Sequence, residues 1–228
     1  MILSDFEKKV IPAVNSFDLS RHTKSSSSAV VISPHPDDDV IGMGGSMRLL
    51  ADKGVNVFSV YITDGSSETF KNRKISADRQ KEALDALGVV RAKAGIFLKH
   101  QSGKFSVSKI VKDIIEVLDF FRPQTLYVTS PFERHLTHLK VTEMTVKAVR
   151  QIKDYCPELW GYSVWSGVLG INKMKVVDIS SVINIKKKAI CMHKSQQKYK
   201  DYASGIIGRN RYEGIFLNTY AKKSFEYA

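Results

Sequence analysis

The sequence predicts an α/β fold in which helices flank a doubly wound, mostly parallel β-sheet. Short apolar runs alternate along the chain with longer segments whose apolar residues recur at helical spacing. This alternation is typical of parallel strands joined by right-handed crossover helices. The length of 228 residues suits one such domain, and 43% hydrophobic with 25% charged residues are ordinary globular proportions.

The clearest elements lie in the first half of the chain. AVVIS at 29–33 is a continuous apolar run, which is typical of a strand buried on both faces of a parallel sheet. Apolar residues at helical spacing predict helices at 44–53 and 76–87, which end at Gly54 and Gly88. Two further strands are predicted at 55–63 and 95–98.

The second half of the chain is less regular. An amphipathic helix is predicted at 106–121, where Pro123 closes it, and a strand at 125–131 follows. A helix at 138–151 comes next. The weaker signals of the last third predict a strand at 162–169 and helices at 182–197 and 198–207. We expect a single domain over 1–228, in which 1–28 form an N-terminal helix (3–10) and a serine-rich link.

Composition narrows the possible partners and location. The net charge of +12 is compatible with nucleic acid, an anionic surface or an anionic small substrate. No nucleic-acid recognition motif is present, so we expect a small-molecule partner, with self-association left open. Two cysteines, no secretory signal and no apolar run of roughly 20 residues predict a cytoplasmic chain without a membrane span.

Three consecutive aspartates stand behind the first predicted strand, in the stretch SPHPDDDVIGMGGSM. Adjacent carboxylates repel each other, so they need either a cation among them or open solvent. The carboxyl end of a strand in an open parallel sheet is also where ligand crevices form. A metal ion at this place would neutralise the cluster.

A second group of polar side chains follows the strand at 125–131, in the stretch FERHLTHLK. We expect it at the same edge of the sheet. His35 and Asp38, with either His135 or His138, would form a set of three ligands with an open position, as in catalytic zinc sites. Spacing alone does not choose between the two histidines, and both could instead be surface residues. Asp37 would be left over as a general base beside a metal-activated water.

The stretch PHPDDDVIGMGG resembles the P-H-P-D-D-E signature of the LmbE-like, or PIG-L, zinc-dependent de-N-acetylases. Four later stretches strengthen the resemblance: VYITDG at 60–65, RQKEALDALGV at 79–89, HLTH at 135–138 and HKSQ at 193–196. The resemblance implies the Rossmann-like fold of that family and removal of acetyl from an N-acetylglucosamine-type amino sugar or its conjugate. It also implies that the glycines after the aspartates form a tight turn.

The resemblance further implies roles for the matching residues. His35, Asp38 and His138 would bind zinc, with another divalent metal ion as the alternative. Asp37 would be the general base. His135 would stabilise the tetrahedral intermediate, most effectively as an imidazolium.

Outside this set, the resemblance implies that Arg79 contacts sugar hydroxyls. Asp39 and His193 would support the site from behind the ligands. Among the departures from the family pattern, Asp39 replaces Glu, Thr137 replaces Asp and Ser102 stands where many relatives have Asp. Thr137 leaves His135 without its usual carboxylate, and Glu133 is the expected substitute, with Asp39 as a second option.

These departures keep a second hypothesis open. The chain could be a catalytically weakened module of the same fold that binds a metal ion or a carbohydrate. Retention of Asp37 favours the enzyme, because a protein that only binds a metal does not need a base at that position.

Overall fold

The computed structural model describes residues 4–14, 17–19, 27–66, 73–101, 104, 106–167, 174–198 and 200–226. An eight-stranded sheet runs through these residues in the order β1-β4-β3-β2-β5-β6-β8-β7. The strands are β1 (Val10–Pro12), β2 (Ser28–Ser33), β3 (Asn56–Thr63), β4 (Ala94–His100), β5 (Thr125–Thr129), β6 (Glu158–Tyr162), β7 (Met174–Asp178) and β8 (Ala221–Glu226).

Five central strands, β4-β3-β2-β5-β6, are parallel, and antiparallel strands close both edges. The predicted mostly parallel sheet is therefore confirmed. From β2 the chain winds outward through β3 and β4, then returns to place β5 on the other side of β2. The strand order thus reverses between β2 and β5, which is where open α/β sheets form their ligand crevice.

Helices cover both faces of the sheet, as a doubly wound fold requires. One apolar core lies under α3 and α4, and the other lies under α1, α2, α5 and α7. Among the described residues, no helix is both long and apolar enough to cross a membrane. The helices are α1 (Asp38–Asp52), α2 (Arg73–Val90), α3 (Val107–Phe121), α4 (Leu136–Gln151), α5 (Ile183–Cys191), α6 (Lys194–Gln197) and α7 (Tyr202–Glu213).

The N-terminal segment differs from the prediction. Instead of a helix at 3–10, the described part has a single 3-10 turn at Glu7–Lys9 followed by β1. Strand β1 pairs antiparallel with β4 and so covers that edge of the sheet. A local helical pattern could not reveal this pairing, because its partner lies more than eighty residues later in the chain. Of the serine-rich stretch at 25–28, residues 25 and 26 lie outside the described residues.

The glycines after the aspartates do not form the expected turn. Helix α1 begins at Asp38, six residues before the predicted start, and Gly42 and Gly45 lie inside it. A Cβ atom on Gly42 would collide with the Tyr162 ring, and one on Gly45 would collide with Ile179. These glycines therefore allow α1 to pack closely on its neighbours, despite their cost to helix propensity.

The C-terminal third contains the other corrections. Strand β6 ends at Tyr162, so the strand predicted at 162–169 is wrong over 163–167, which form a loop, and its last two residues lie outside the described residues. The helix predicted at 182–197 is divided into α5 and α6, with His193 between them. Both cysteines are free thiols, in agreement with the prediction that the chain has no disulfide framework.

Candidate functional site

The polar side chains behind β2 and β5 converge at the reversal point of the sheet. His35 lies in the turn after β2, Asp38 opens α1, and His138 lies in the first turn of α4. Because β2 and β5 are hydrogen-bonded neighbours, their carboxyl ends bring the two loops together. The expected meeting of these three residues is confirmed.

Three ligand atoms of this triad face one another at short range. Asp38 Oδ2 lies 2.9 Å from His35 Nδ1 and 3.0 Å from His138 Nε2, and the two nitrogens are 3.3 Å apart. Tetrahedral zinc with bonds of about 2.0–2.1 Å would separate its ligand atoms by about 3.3 Å. The donor set and its spacing therefore fit a divalent metal ion, zinc in particular.

The electrostatics of the triad also favour a cation. Burial lowers the pKa of His138, but the facing Asp38 and Glu133 carboxylates outweigh burial and raise that pKa to about 10. Burial likewise raises the pKa of Asp38, yet His138 and His35 outweigh it and hold that pKa below its usual range. The cluster thus holds a proton in the absence of other cations. A metal ion would supply the same positive charge.

Glu133 does not support His135 in the way the sequence suggested. Its buried carboxylate accepts hydrogen bonds from the backbone N–H groups of Val164 (2.7 Å), Trp165 (3.1 Å) and Ser166 (3.4 Å). Its Oε2 also lies 3.5 Å from His138 Nδ1, at the outer limit for a hydrogen bond. Glu133 therefore anchors the loop after β6 and lies as an ion-pair partner beside His138, whose Nδ1 has no hydrogen-bond partner among the described residues.

His135 is the N-cap of α4. Its Nδ1 accepts a hydrogen bond of 3.2 Å from the backbone N–H of Thr137, so the neutral ring carries its proton on Nε2. Burial, followed by His35 and His138, lowers the pKa of His135. The lowered pKa of His135 favours the neutral ring, whose Nε2–H group is a hydrogen-bond donor. The expectation of an imidazolium held by Glu133 is replaced by this arrangement.

Asp37 forms a buried ion pair with Arg79. Arg79 Nη2 lies 2.9 Å from Asp37 Oδ1, while Nη1 donates to the backbone oxygen of Gly65 at 2.7 Å. Arg79 is only 7% exposed. A guanidinium held in two directions fixes the carboxylate that it contacts. Arg79 thus reaches Asp37 directly, which the resemblance to a sugar-contacting arginine did not indicate.

Two sequence motifs interlock behind this pair. Glu82, one helical turn after Arg79, accepts hydrogen bonds from the N–H (2.7 Å) and the hydroxyl (2.6 Å) of Ser195. This contact holds His193 in place, with 2% of its surface exposed. Both partners belong to stretches that resemble the family, RQKE at 79–82 and HKSQ at 193–196. Neither stretch by itself indicates that it contacts the other.

His193 has a buried ring whose two nitrogens are unsatisfied. Neither ring nitrogen has a hydrogen-bond partner among the described residues. Burial lowers the pKa of His193, Asp37 raises it and Arg79 lowers it, so both charges reach the ring. A buried polar ring without a partner costs free energy unless a water molecule or a ligand completes it.

Asp39 lies beneath the site, away from His135. Its Oδ2 accepts hydrogen bonds of 2.7 Å from the hydroxyls of Ser59 and Tyr61 on β3. Burial raises the pKa of Asp39 to about 6. The third aspartate thus connects α1 to the sheet. Ser102, at the position where many relatives have Asp, lies outside the described residues.

A family model and several known proteins match this sequence. Residues 30–149 match the PIG-L family model, described as GlcNAc-PI de-N-acetylase. The diacetylchitobiose deacetylase of Thermococcus kodakarensis is 28% identical over 186 residues, which are 72% of this chain and 68% of that protein. The probable N-acetyl-α-D-glucosaminyl L-malate deacetylase 2 of Bacillus cereus is 27% identical over 183 residues, which are 73% and 82% of the two chains.

The fold is shared with solved structures as well. The N,N′-diacetylchitobiose deacetylase from Pyrococcus horikoshii, solved with its inhibitor MPG, has a TM-score of 0.76 to this chain. The match covers 92% of this chain and 87% of that structure at 23% identity. At that level of identity the likeness establishes the architecture of the sheet and its helices.

Proposed function

Because the chain belongs to the PIG-L family of de-N-acetylases, we propose that it hydrolyses the acetyl amide of an N-acetylglucosamine-type amino sugar or its conjugate, with a divalent metal ion as cofactor. The observation that carries this proposal is the convergence of His35, Asp38 and His138 beside an Asp37 held by Arg79. A site that only bound metal would have no use for a second, separately oriented carboxylate.

The triad would hold zinc, or another divalent metal ion, through His35 Nδ1, Asp38 Oδ2 and His138 Nε2. When bound, such an ion supplies Lewis-acid polarisation of the acyl carbonyl and acidifies a water molecule. Glu133 lies 3.5 Å from the other ring nitrogen of His138 and would help to keep that ring in a ligating orientation. The carboxylates of Asp38 and Glu133, which lie on either side of His138, also favour a cation beside that residue.

Asp37 would act as the general base. Its carboxylate would accept a proton from the water that attacks the acetyl carbonyl, and would return a proton to the amine as the C–N bond breaks. Acetate and the free amino sugar are then the products. The ion pair with Arg79 fixes Asp37 and keeps its free oxygen available for the water.

His135 would meet the charge that develops on the carbonyl oxygen. With Nδ1 occupied by the Thr137 N–H, the Nε2–H group is the donor available to that oxygen. His193, whose ring nitrogens are unsatisfied, is placed to bind a water molecule or a substrate group beside Asp37. This tautomer assignment explains how His135 can act without a carboxylate at position 137.

A weakened binding module remains the second candidate. Thr137 in place of the family aspartate is the observation that favours it. The contacts of Asp37 with Arg79 and of His135 with the Thr137 N–H favour the enzyme, because a protein that only binds a ligand would need neither. The net charge of +12 supports a conjugate that carries an anionic group, and the free cysteines agree with a reducing, cytoplasmic setting.

Acetate release provides the test of this proposal. Zinc-loaded protein is incubated with N-acetylglucosamine and with neutral, phosphate-bearing and carboxylate-bearing conjugates, with and without a chelator. We expect chelator-sensitive release from at least one conjugate and faster release from anionic ones. Stoichiometric zinc binding with no acetate from any member of the panel would support the binding module instead.

Replacement of His135 tests its role as a neutral donor. His135→Ala should reduce turnover by about 10²–10³-fold with little change in KM, because the lost hydrogen bond matters mainly in the transition state. The measurement is steady-state kinetics on the best substrate of the panel. Unchanged turnover would mean that the metal ion and Asp37 suffice.

His135→Asn is the matched control, because asparagine preserves the cap of α4. The alanine variant should lose about 1 kcal/mol more stability than the asparagine variant in chemical unfolding. Both variants should lose turnover to a similar extent. If only the alanine variant were impaired, the effect of His135 would be structural.

A further inference from the structure

The carboxyl end of β4 carries a β-bulge. Along most of the β3–β4 pair the register is constant, and Tyr61 lies opposite Phe97. Two residues later Thr63 lies opposite His100, so β4 has one extra residue between the two pairs. Lys99 in this stretch has φ of 57°, in the left-handed region that residues other than glycine rarely adopt. Bulges of this kind often lie beside active sites, where they redirect a side chain.

Beyond the bulge, the side chain of His100 is bound to α3. Its Nε2 lies 2.7 Å from Oδ2 of Asp113, and both side chains are largely buried. Because a carboxylate can only accept, Nε2 carries the proton of this hydrogen bond. The other oxygen of Asp113 lies 3.2 Å from Lys9 Nζ, so the acid is held from two sides. A charge-assisted contact therefore ties the end of β4 to α3.

The backbone of His100 holds the loop that follows β3. Its carbonyl oxygen accepts a hydrogen bond of 3.0 Å from the N–H of Asp64. Asp64 Oδ1 in turn accepts from the N–H (2.9 Å) and the hydroxyl (2.6 Å) of Ser66. These bonds close a tight turn over 64–66, in which Gly65 has φ of 71°. The position of this 64–66 turn thus depends on His100.

The 64–66 turn aims the guanidinium that holds the candidate base. The Gly65 oxygen accepts from Arg79 Nη1 at 2.7 Å, while Nη2 lies 2.9 Å from Asp37 Oδ1. Arg79 Nε has no hydrogen-bond partner among the described residues, so the guanidinium is oriented by Gly65 and Asp37. A Cβ atom on Gly65 would lie only 2.8–2.9 Å from the guanidinium, which shows how closely the turn and Arg79 pack.

The metal loop is held by a separate contact. The N–H (3.1 Å) and the hydroxyl (2.8 Å) of Thr63 both donate to the carbonyl oxygen of Pro34, next to His35. Movement of the 64–66 turn would therefore reach Arg79, while Thr63 keeps the loop that carries His35 in place.

We propose that His100 is a positioning residue for the general base. Bound to Asp113 through its ring and to Asp64 through its backbone, it fixes the 64–66 turn, and that turn directs Arg79 at Asp37. This inference rests on the proposed function, since it concerns the base of the same site. It predicts an effect of His100 on turnover and none on zinc affinity.

The first test measures turnover. His100→Ala should lower kcat of the zinc-loaded protein about 10-fold with little change in KM or zinc affinity, because a small misplacement of a catalytic group costs rate on this scale. His100→Gln should recover most of kcat, since its amide N–H can donate to Asp113. If His100→Ala does not fold, Asp113→Asn replaces it in every test, because it keeps the size of the side chain and removes the charge that holds Nε2.

A double-mutant cycle separates positioning of the base from general damage. In Asp37→Asn the base is already absent, so the addition of His100→Ala should lower kcat no further. Val117→Ala is the control, since Val117 lies buried on α3 four residues after Asp113 and its truncation loosens the packing of that helix. It should leave kcat as in wild type. An unchanged kcat in His100→Ala, or the same loss in the Asp37→Asn background, would overturn the inference.

An unfolding measurement distinguishes failure of the positioning role from failure of the proposed function, because it needs no turnover. Asp37→Asn leaves the buried Arg79 without its carboxylate and should lower the urea midpoint of unfolding. In the His100→Ala background the same substitution should lower the midpoint less, because the released guanidinium can turn toward solvent. A smaller shift would support the positioning role even if no conjugate released acetate. Equal shifts in the two backgrounds would overturn it, whatever the rate of hydrolysis.

Discussion

Asp37→Asn is expected to bind zinc as wild type does but to turn over about 10²–10⁴-fold more slowly, the usual contribution of a general base. Asparagine keeps the size of the side chain but cannot accept a proton from water near neutral pH. The triad atoms belong to His35, Asp38 and His138, so the metal site should be unaffected. Zinc content by elemental analysis and acetate release by steady-state kinetics provide the two readouts.

The ion pair with Arg79 requires its own control. Asp37→Asn leaves a buried guanidinium without its carboxylate, so some loss of stability is expected alongside the loss of turnover. Arg79→Lys keeps a positive charge but not the two-directional contact with Asp37 and Gly65. It should lower turnover less than Asp37→Asn does. If Asp37→Asn lost zinc as completely as a ligand variant, Asp37 would belong to the metal site.

Asp38→Asn is expected to lose zinc, and acetate release with it, down to the background of the chelated wild type. The Asp38 carboxylate lies within 3.0 Å of both imidazole nitrogens and is the only anionic member of the triad. An amide removes that charge and presents a much weaker ligand atom to zinc. Two imidazoles that face each other at 3.3 Å would then hold a cation poorly.

Asp52→Asn is the matched control for this loss, because Asp52 ends the same helix and pairs with Arg48 at the surface. It should retain both zinc and activity. Competition with a chromogenic chelator measures the zinc affinity of each variant. Retention of wild-type affinity by Asp38→Asn would contradict the assignment of Asp38 as a ligand.

Several parts of the fold and site could be predicted from the sequence because their signals are local. The apolar run at 29–33 and the strand ending near 130 predicted β2 and β5. A parallel sheet then places the two motifs at one edge, which is why the meeting of His35 with a histidine of the second motif could be expected. The choice of His138 over His135 came from the family resemblance. Site residues that directly follow buried strands can therefore be placed from local sequence patterns and the parallel arrangement of the strands.

Other features were inaccessible because they depend on contacts between distant residues. Glu133 binds backbone groups 31 to 33 residues later, and no spacing rule connects a carboxylate with those amides. The start of α1 was missed because its glycines argue against a helix, and the opposing Tyr162 ring that requires one of them comes from β6. The edge strands β1 and β7, and β8 next to β7, lack long apolar runs and form by antiparallel pairing with their neighbours.

The sequence by itself determined the family, the parallel sheet and the residue types at the site. Strand periodicity and short motifs are patterns of neighbouring residues, so they can be recognised without the structure. Only the tertiary structure decided what each side chain touches. It paired Arg79 with Asp37 and placed Glu133 beside His138. It also occupied His135 Nδ1 with the Thr137 N–H and held the loop after β6 between Glu133 and Arg209. The physical reason is that hydrogen bonds and ion pairs act over about 3 Å in space, and chain folding sets such distances independently of separation along the sequence.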